Sequence, residues 1–212
     1  KDIKRRDIIL LIDEIVDRGS PIAANRTLRI IRKMFSFAVK RGVLDASPCI
    51  EIDAPAKENQ RERILTEEEI RIFWLGLDNA KMSDGTKLAL KLLLVTAQRK
   101  GEVTQADWAE IDLKKGWWTI PKEKSKNERT HRVPLSKMAI DIFKQAKELS
   151  GDSIWVFPSI KGRSITPRSI SRAIRNNSKK KPREAPKHKP PYGDFFRIDH
   201  FTPHDLRRTA TS

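Results

Sequence analysis

The chain has 212 residues, with 44 Lys and Arg against 28 Asp and Glu, a formal charge of +16 and an isoelectric point near 10.1. That excess is the electrostatic footprint of a nucleic-acid partner, a footprint shared with ribosomal, chromatin and some membrane-surface proteins. The longest apolar runs, such as Leu88–Val95, are too short to span a bilayer, no signal-peptide pattern opens the chain, and the lone Cys49 excludes an internal disulfide and gives no basis for a zinc site.

The first segment has helical periodicity. Ile8, Leu11, Ile12 and Ile15 fall on one face and Gly19 follows as a stop. Ser20-Pro21 then supplies a cap and a first-turn proline. The stripe Leu28, Ile31, Phe35 and Ala38 continues that second helix, with Arg26, Arg29, Arg32 and Lys33 on its flanks and Gly42 at its end. Phe35 and Phe37 fit core or rim better than base stacking. Two helices make a poor independent core, so further structure upstream or a packing partner is expected.

Residues 52–65, IDAPAKENQRERIL, lack hydrophobic period and are expected to be a linker. Thr66 and Glu69 form a capping box that opens the helix TEEEIRIFWLGL. A helix over Thr86–Gln98 is apolar on most sides and therefore central to a second domain. RKGEVTQADWAEIDL predicts a short helix leading to a strand. GWWTIP and THRVPLS have strand composition and flank the charged KEKSKNER, which predicts a hairpin with a basic tip. Ser136–Leu149 has amphipathic period, WVFPS is a short extended piece, and Thr166-Pro167 opens a helix to about Asn177. Residues 179–193, rich in Lys and Pro, predict a surface loop or insertion. The fold expected is mostly α with a small antiparallel β-hairpin or sheet (α+β).

The last stretch, TPHDLRRTATS, is a helix start: Thr202 as N-cap, Pro203 at the first position, and Asp205 in the first turn. Helical spacing puts His204 and either Arg207 or Arg208 on one face. Imidazole beside guanidinium suits a phosphate oxygen better than a core. Further upstream, Arg99 follows the buried helix with Glu102 three residues on, and the hairpin tip carries Lys126. Each has an ordinary reading alone: Arg99 and Glu102 as an intrahelical ion pair, Lys126 as one of three tip lysines with Lys122 and Lys124, His204 as a structural histidine or cap. The ordered set is the specific signal.

That set resembles the tyrosine recombinases, the integrase family of phages and genomic islands. TAQRKGEVTQADWAEIDL resembles the family's first Arg box, SKNERTHRVPLS its lysine hairpin, and TPHDLRRTATS its His-x-x-Arg box. GSPIAANRTLRIIRKMFSFAVKRGVLDASP is similar to the helical core-binding domain, and RERILTEEEI to the junction into the catalytic domain. The resemblance implies a partial core-binding domain over 1–51, a linker over 52–65, and a catalytic domain over 66–212 that is incomplete at its C-terminus.

By the same resemblance, Arg99 and Arg207 hold the non-bridging phosphate oxygens, Lys126 is the general acid for the leaving 5′-oxygen, and His204 donates to the phosphate or handles the nucleophile's proton. Glu102 supports by orienting Arg99 or a neighbour. Guanidinium forks suit this chemistry, because they stay charged and match the oxygens of a phosphorane without a metal. No metal or other cofactor is expected. Arg26, Arg29, Lys122, Lys124 and Arg208 are further candidate DNA contacts; His131 suits packing or DNA contact, and His188 and His200 have no supporting spacing. The family's nucleophilic tyrosine follows the His-x-x-Arg box, whereas the one tyrosine here, Tyr192, precedes it. The nucleophile is therefore expected beyond Ser212, and strand exchange is not expected of these residues alone.

The partners implied are double-stranded DNA attachment sites, other protomers in a tetrameric synapse on DNA, and directionality or bending factors; no membrane is involved, and the location expected is the cytoplasm, with the nucleoid. The rival expectation is a non-catalytic architectural or regulatory DNA-binding protein that kept the fold. A metal-dependent nuclease is disfavoured by the lack of clustered acids.

Overall fold

A computed structural model describes residues 2–59, 61–178 and 194–212. The expected insertion over 179–193, with Tyr192 and His188, lies outside the described residues. The chain divides into two compact units, Lys1–Arg61 and Glu62–Ser212.

The first unit is a helical pair, α1 (Arg5–Asp17) and α2 (Pro21–Lys40). Ile8, Ile12 and Ile15 pack with Ala24, Leu28 and Phe35, and Cys49 and Ile52 close the cluster. Leu11, expected on the buried face, is instead 43% exposed, as two helices cannot cover so wide a stripe. Ile30, Met34 and Phe37 are likewise exposed on α2, with the Arg41 guanidinium 5.3 Å from the Phe37 ring. The segment expected to be a linker from residue 52 contributes in part to this unit. Ile52 is buried, and the buried Asn25 side chain binds Ala56 twice, at 2.7 Å to its oxygen and 3.1 Å from its nitrogen. Lack of hydrophobic period conceals such backbone anchoring, which a single amide side chain supplies.

The second unit is built around α4 (Asp84–Thr96), which packs against α3 (Glu67–Asn79), α5 (Lys100–Thr104), α6 (Lys137–Ser150), α7 (Pro167–Asn177) and α8 (Pro203–Thr211). Its Leu88, Ala89, Leu90, Leu92 and Leu93 are all buried, which explains a helix apolar on most sides. Ser83 caps it through the amide of Thr86, so it begins slightly before the expected Thr86. Three short antiparallel strands, β1 (Ile111–Asp112), β2 (Trp117–Ile120) and β3 (His131–Pro134), lie in sequence order, with Trp118 opposite both Ile111 and Val133. Trp118 and Ile120 alternate into the core, while most of β3 is exposed.

Two details set the position of the C-terminal helix. Phe73, Phe196 and Phe201 form an aromatic trio with every pair of ring centres 5.5 Å apart, pinning the approach to α8 onto α3. Gly76 permits that approach: a Cβ there would stand 2.7 Å from the Phe195 carbonyl oxygen. The Asn177 side chain fastens α7 to Lys81 through the Lys81 N–H at 2.7 Å. Among the described residues, no helix is long and apolar enough to cross a membrane.

Candidate active site

The backbone turns sharply after α4. Ala97 takes the left-handed conformation at φ 54°, which ends α4 and lets Arg99 cap α5. Glu102, at the third position of α5, reaches back: one carboxylate oxygen accepts from the Arg99 N–H at 2.8 Å and the other from the Arg99 guanidinium, also at 2.8 Å. Glu102 is 4% exposed and the Arg99 side chain 36%, so the carboxylate is a buried anchor and the guanidinium reaches solvent. The spacing that alone suggests an ordinary ion pair thus also fixes how Arg99 leaves its helix.

The start of α8 is built by the same device. The Thr202 N–H and hydroxyl both donate to Asp205, at 2.9 Å each, and Asp205 is buried. Arg208 donates to the other Asp205 oxygen at 3.2 Å. That engagement separates the two neighbouring arginines. Arg208 packs back on its own helix, while Arg207 and the exposed His204 face a cleft of about 690 Å³.

Four pieces of chain line this cleft: Arg99, Lys100, Gly101 and Glu102 of α5; Glu123, Lys124, Ser125 and Lys126 of the hairpin loop; Pro167 of α7; and Pro203, His204 and Arg207 of α8. Five cationic side chains thus face two carboxylates, one of them committed to Arg99. Burial and the nearby Arg99 charge push the Arg207 pKa down, and Glu102 pulls it back. Arg207 has no ion-pair partner among the described residues. Two guanidiniums thus act on each other across the cleft, with the Glu102 carboxylate hydrogen-bonded to Arg99 and reaching Arg207 only through its field, an arrangement that suits an anion. Among the described residues no group of three or more His, Cys, Asp or Glu is placed to hold a metal ion.

The structure therefore brings Arg99, Glu102, Lys126, His204 and Arg207 to one cleft; of the other expected contacts it adds Lys124 to the lining and leaves Arg26, Arg29, Lys122 and Arg208 outside it. Lys122 is exposed on the loop outside it. Arg26 and Arg29 are exposed in the first unit, Arg29 at 3.3 Å from Glu58. Lys124 lines the cleft, yet its amine is bonded to Glu110 and to the Gln105 carbonyl oxygen, the latter at 2.8 Å, and so is turned to protein and not outward. The sequence reading missed a stripe on α7: Arg168, Arg172 and Arg175 are all exposed, at helical spacing, over the buried Ile170 and Ile174. The signal was present in the basic, amphipathic RSISRAIR pattern.

Comparison with known proteins gives the chain's family and fold. Two Escherichia coli K12 proteins are similar to the chain: the prophage integrase IntZ, 31% identical over 159 residues, and the prophage integrase IntA, 28% identical over 160 residues. Each alignment covers 74% of this chain and 39% of the relative, so the chain spans about two fifths of their length. A solved structure of lambda integrase, residues 75–356, a dimer bound to a COC′ core site, superposes with a TM-score of 0.72 at 20% identity, covering 99% of this chain and 70% of that one. Lambda integrase as a tetramer bound to a Holliday junction gives 0.71 at 21% identity, covering 99% and 59%. These likenesses show the same fold. The family described as "Phage integrase family" matches residues 58–212, the stretch that supplies every side chain of the cleft, and the chain belongs to that family.

Proposed function

We propose that the chain is part of a site-specific DNA recombinase that cuts and rejoins DNA through a 3′-phosphotyrosine, and that the cleft is where the scissile phosphate sits. The observation that carries this reading is the convergence of Arg99 and Arg207, far apart in sequence, on one cleft with Lys126 and His204. In this reading each guanidinium donates to a non-bridging oxygen, and both strengthen as charge builds in the pentacoordinate transition state. A tyrosine hydroxyl of the whole protein attacks phosphorus, losing its proton as the O–P bond forms. The P–O5′ bond breaks, and Lys126 gives its proton to the departing oxygen. His204, on the same helix face as Arg207, donates to the phosphate or handles the nucleophile's proton. The reverse attack by a 5′-hydroxyl restores a phosphodiester, so the bond energy is conserved and no nucleotide or metal is consumed.

The first unit and the 66–212 region are the core-binding and catalytic parts in this reading, and duplex attachment sites and further protomers on DNA are the partners. The dimer and the Holliday-junction tetramer of lambda integrase support that choice. The α7 stripe and Lys122 add backbone contacts, which give affinity and not sequence preference. The test is a nicked suicide substrate that traps the whole protein on its site. A covalent adduct at a 3′-phosphate, mapped to one tyrosine peptide, is expected. Salt-sensitive binding without any adduct would overturn the reading in favour of a non-catalytic DNA-binding protein.

A further inference from the structure

The loop between β2 and β3 holds three lysines within five residues, Lys122, Lys124 and Lys126, and the structure treats the middle one differently. The Lys124 side chain is 21% exposed. Its amine donates to the Glu110 carboxylate and to the Gln105 carbonyl oxygen at 2.8 Å, and it stands 5.3 Å from the centre of the Trp155 ring. Glu110 is itself fixed, 9% exposed, by the Trp118 indole N–H at 3.1 Å. Gln105 is the residue that ends α5, the short helix whose other end is capped by Arg99. One ammonium, a compact group with three donors, thus ties the loop to the helix that presents Arg99.

We propose that Lys124 is a positioning residue, which clamps the loop to α5 so that Lys126, two residues on, stands over the same phosphate as Arg99. The backbone between them is a turn that transmits the clamp. Lys124 and Ser125 donate to Pro121 at 3.1 and 3.2 Å, and Glu128 donates to Ser125 at 3.1 Å. Lys126 itself remains exposed, and a free lysine at a loop tip loses much of its effect to misplacement. Breaking the clamp should therefore damage one step, protonation of the 5′-oxygen, and leave phosphate binding by the two guanidiniums in place.

This inference rests on Lys126 as the proton donor, and one experiment separates the two. Single-turnover cleavage by the whole protein is measured on an ordinary suicide substrate and on one with sulfur replacing the bridging 5′-oxygen. A thiol, with a pKa of about 8.5, leaves as thiolate without a proton donor. Lys126→Ala should lose about 100-fold or more on oxygen and little on sulfur, as expected for a lost general acid. Lys124→Met should lose about tenfold or more on oxygen, be restored on sulfur, and bind DNA nearly as tightly; Lys124→Arg, which keeps a cation able to reach Glu110 and Gln105, should recover most of the rate. If Lys126→Ala is not restored by sulfur, the proton-donor reading fails. If Lys126→Ala is restored while Lys124→Met cleaves normally or loses equally on both substrates, the clamp is overturned. Glu110→Gln, which keeps the shape of the site, should repeat the Lys124→Met pattern and decides the matter if Lys124→Met melts below the assay temperature.

Discussion

Replacing Glu102 with glutamine or alanine should move DNA binding and cleavage in opposite directions. Glu102 accepts two hydrogen bonds from Arg99, both at 2.8 Å, and is 4% exposed. Glutamine keeps one acceptor for the Arg99 N–H but loses the charge. A hydrogen bond to a charged group contributes about 1.5–3 kcal/mol, and the Arg99 end is 36% exposed, so the lower part of that range applies. The expected cost is about 1.5 kcal/mol for Glu102→Gln and about 2–3 kcal/mol for Glu102→Ala, which also loses the capping contact. For a unit of this size, about 1 kcal/mol lowers Tm by about 2–4 °C. The cleft loses a negative charge, so affinity for duplex DNA at low salt should hold or rise. Arg99 meanwhile loses its fixed direction, and cleavage should fall about 10- to 100-fold, as expected for a misaimed transition-state donor. Thermal melting, fluorescence anisotropy and suicide-substrate kinetics give the three readouts. A Glu102→Gln protein that melts and cleaves like the parent would refute the argument.

Three further outcomes follow from the same structure. The Arg63 guanidinium, by hydrogen bonding, holds the Glu69 carboxyl below its usual pKa of 4.5, against the opposing effect of burial. A depressed carboxyl stabilises the fold above its unfolded pKa and loses that contribution as pH falls through the folded value, so the Tm gap between the parent and Glu69→Gln should be full near pH 7 and shrink below about pH 4.5; a gap independent of pH down to 3 would contradict it. Gly76→Ala should cost about 1–3 kcal/mol in melting experiments, because the new methyl meets the Phe195 carbonyl at 2.7 Å, and an unchanged Tm would show that the segment can move aside. Changing Arg168, Arg172 and Arg175 together to alanine should flatten the plot of log affinity against log salt by up to about 2.7, at about 0.9 per lost phosphate contact, whereas an unchanged slope would remove α7 from the DNA surface.

Much of the candidate site was legible because it is written locally. Thr202-Pro203 with Asp205 marks a helix start, and Arg99 with Glu102 is a capping box as well as an ion pair, so spacing alone places His204, Arg207 and Arg99 at helix beginnings. What joins them is not local. Nothing in KEKSK distinguishes Lys124 from its neighbours; its partners, Glu110 and the Gln105 carbonyl, lie on other elements. The boundary between the two units was obscured for a similar reason, since Asn25 binds Ala56 through side-chain groups that leave no hydrophobic period. Leu11 and Phe37 show the opposite failure: apolar residues at helical spacing that two helices lack the surface to bury.

The most direct test of the central claim, that Arg99 and Arg207 act together on the charge of one phosphate, uses a neutral methylphosphonate at the scissile position. With a methyl group in place of one charged oxygen, an arginine that neutralises that oxygen has less to do. Arg99→Ala and Arg207→Ala should each lose about 100-fold or more in cleavage of the ordinary phosphodiester, and at least one should lose far less on the methylphosphonate. Equal losses on both substrates would mean that the two guanidiniums hold the fold or the duplex and not the reacting phosphate.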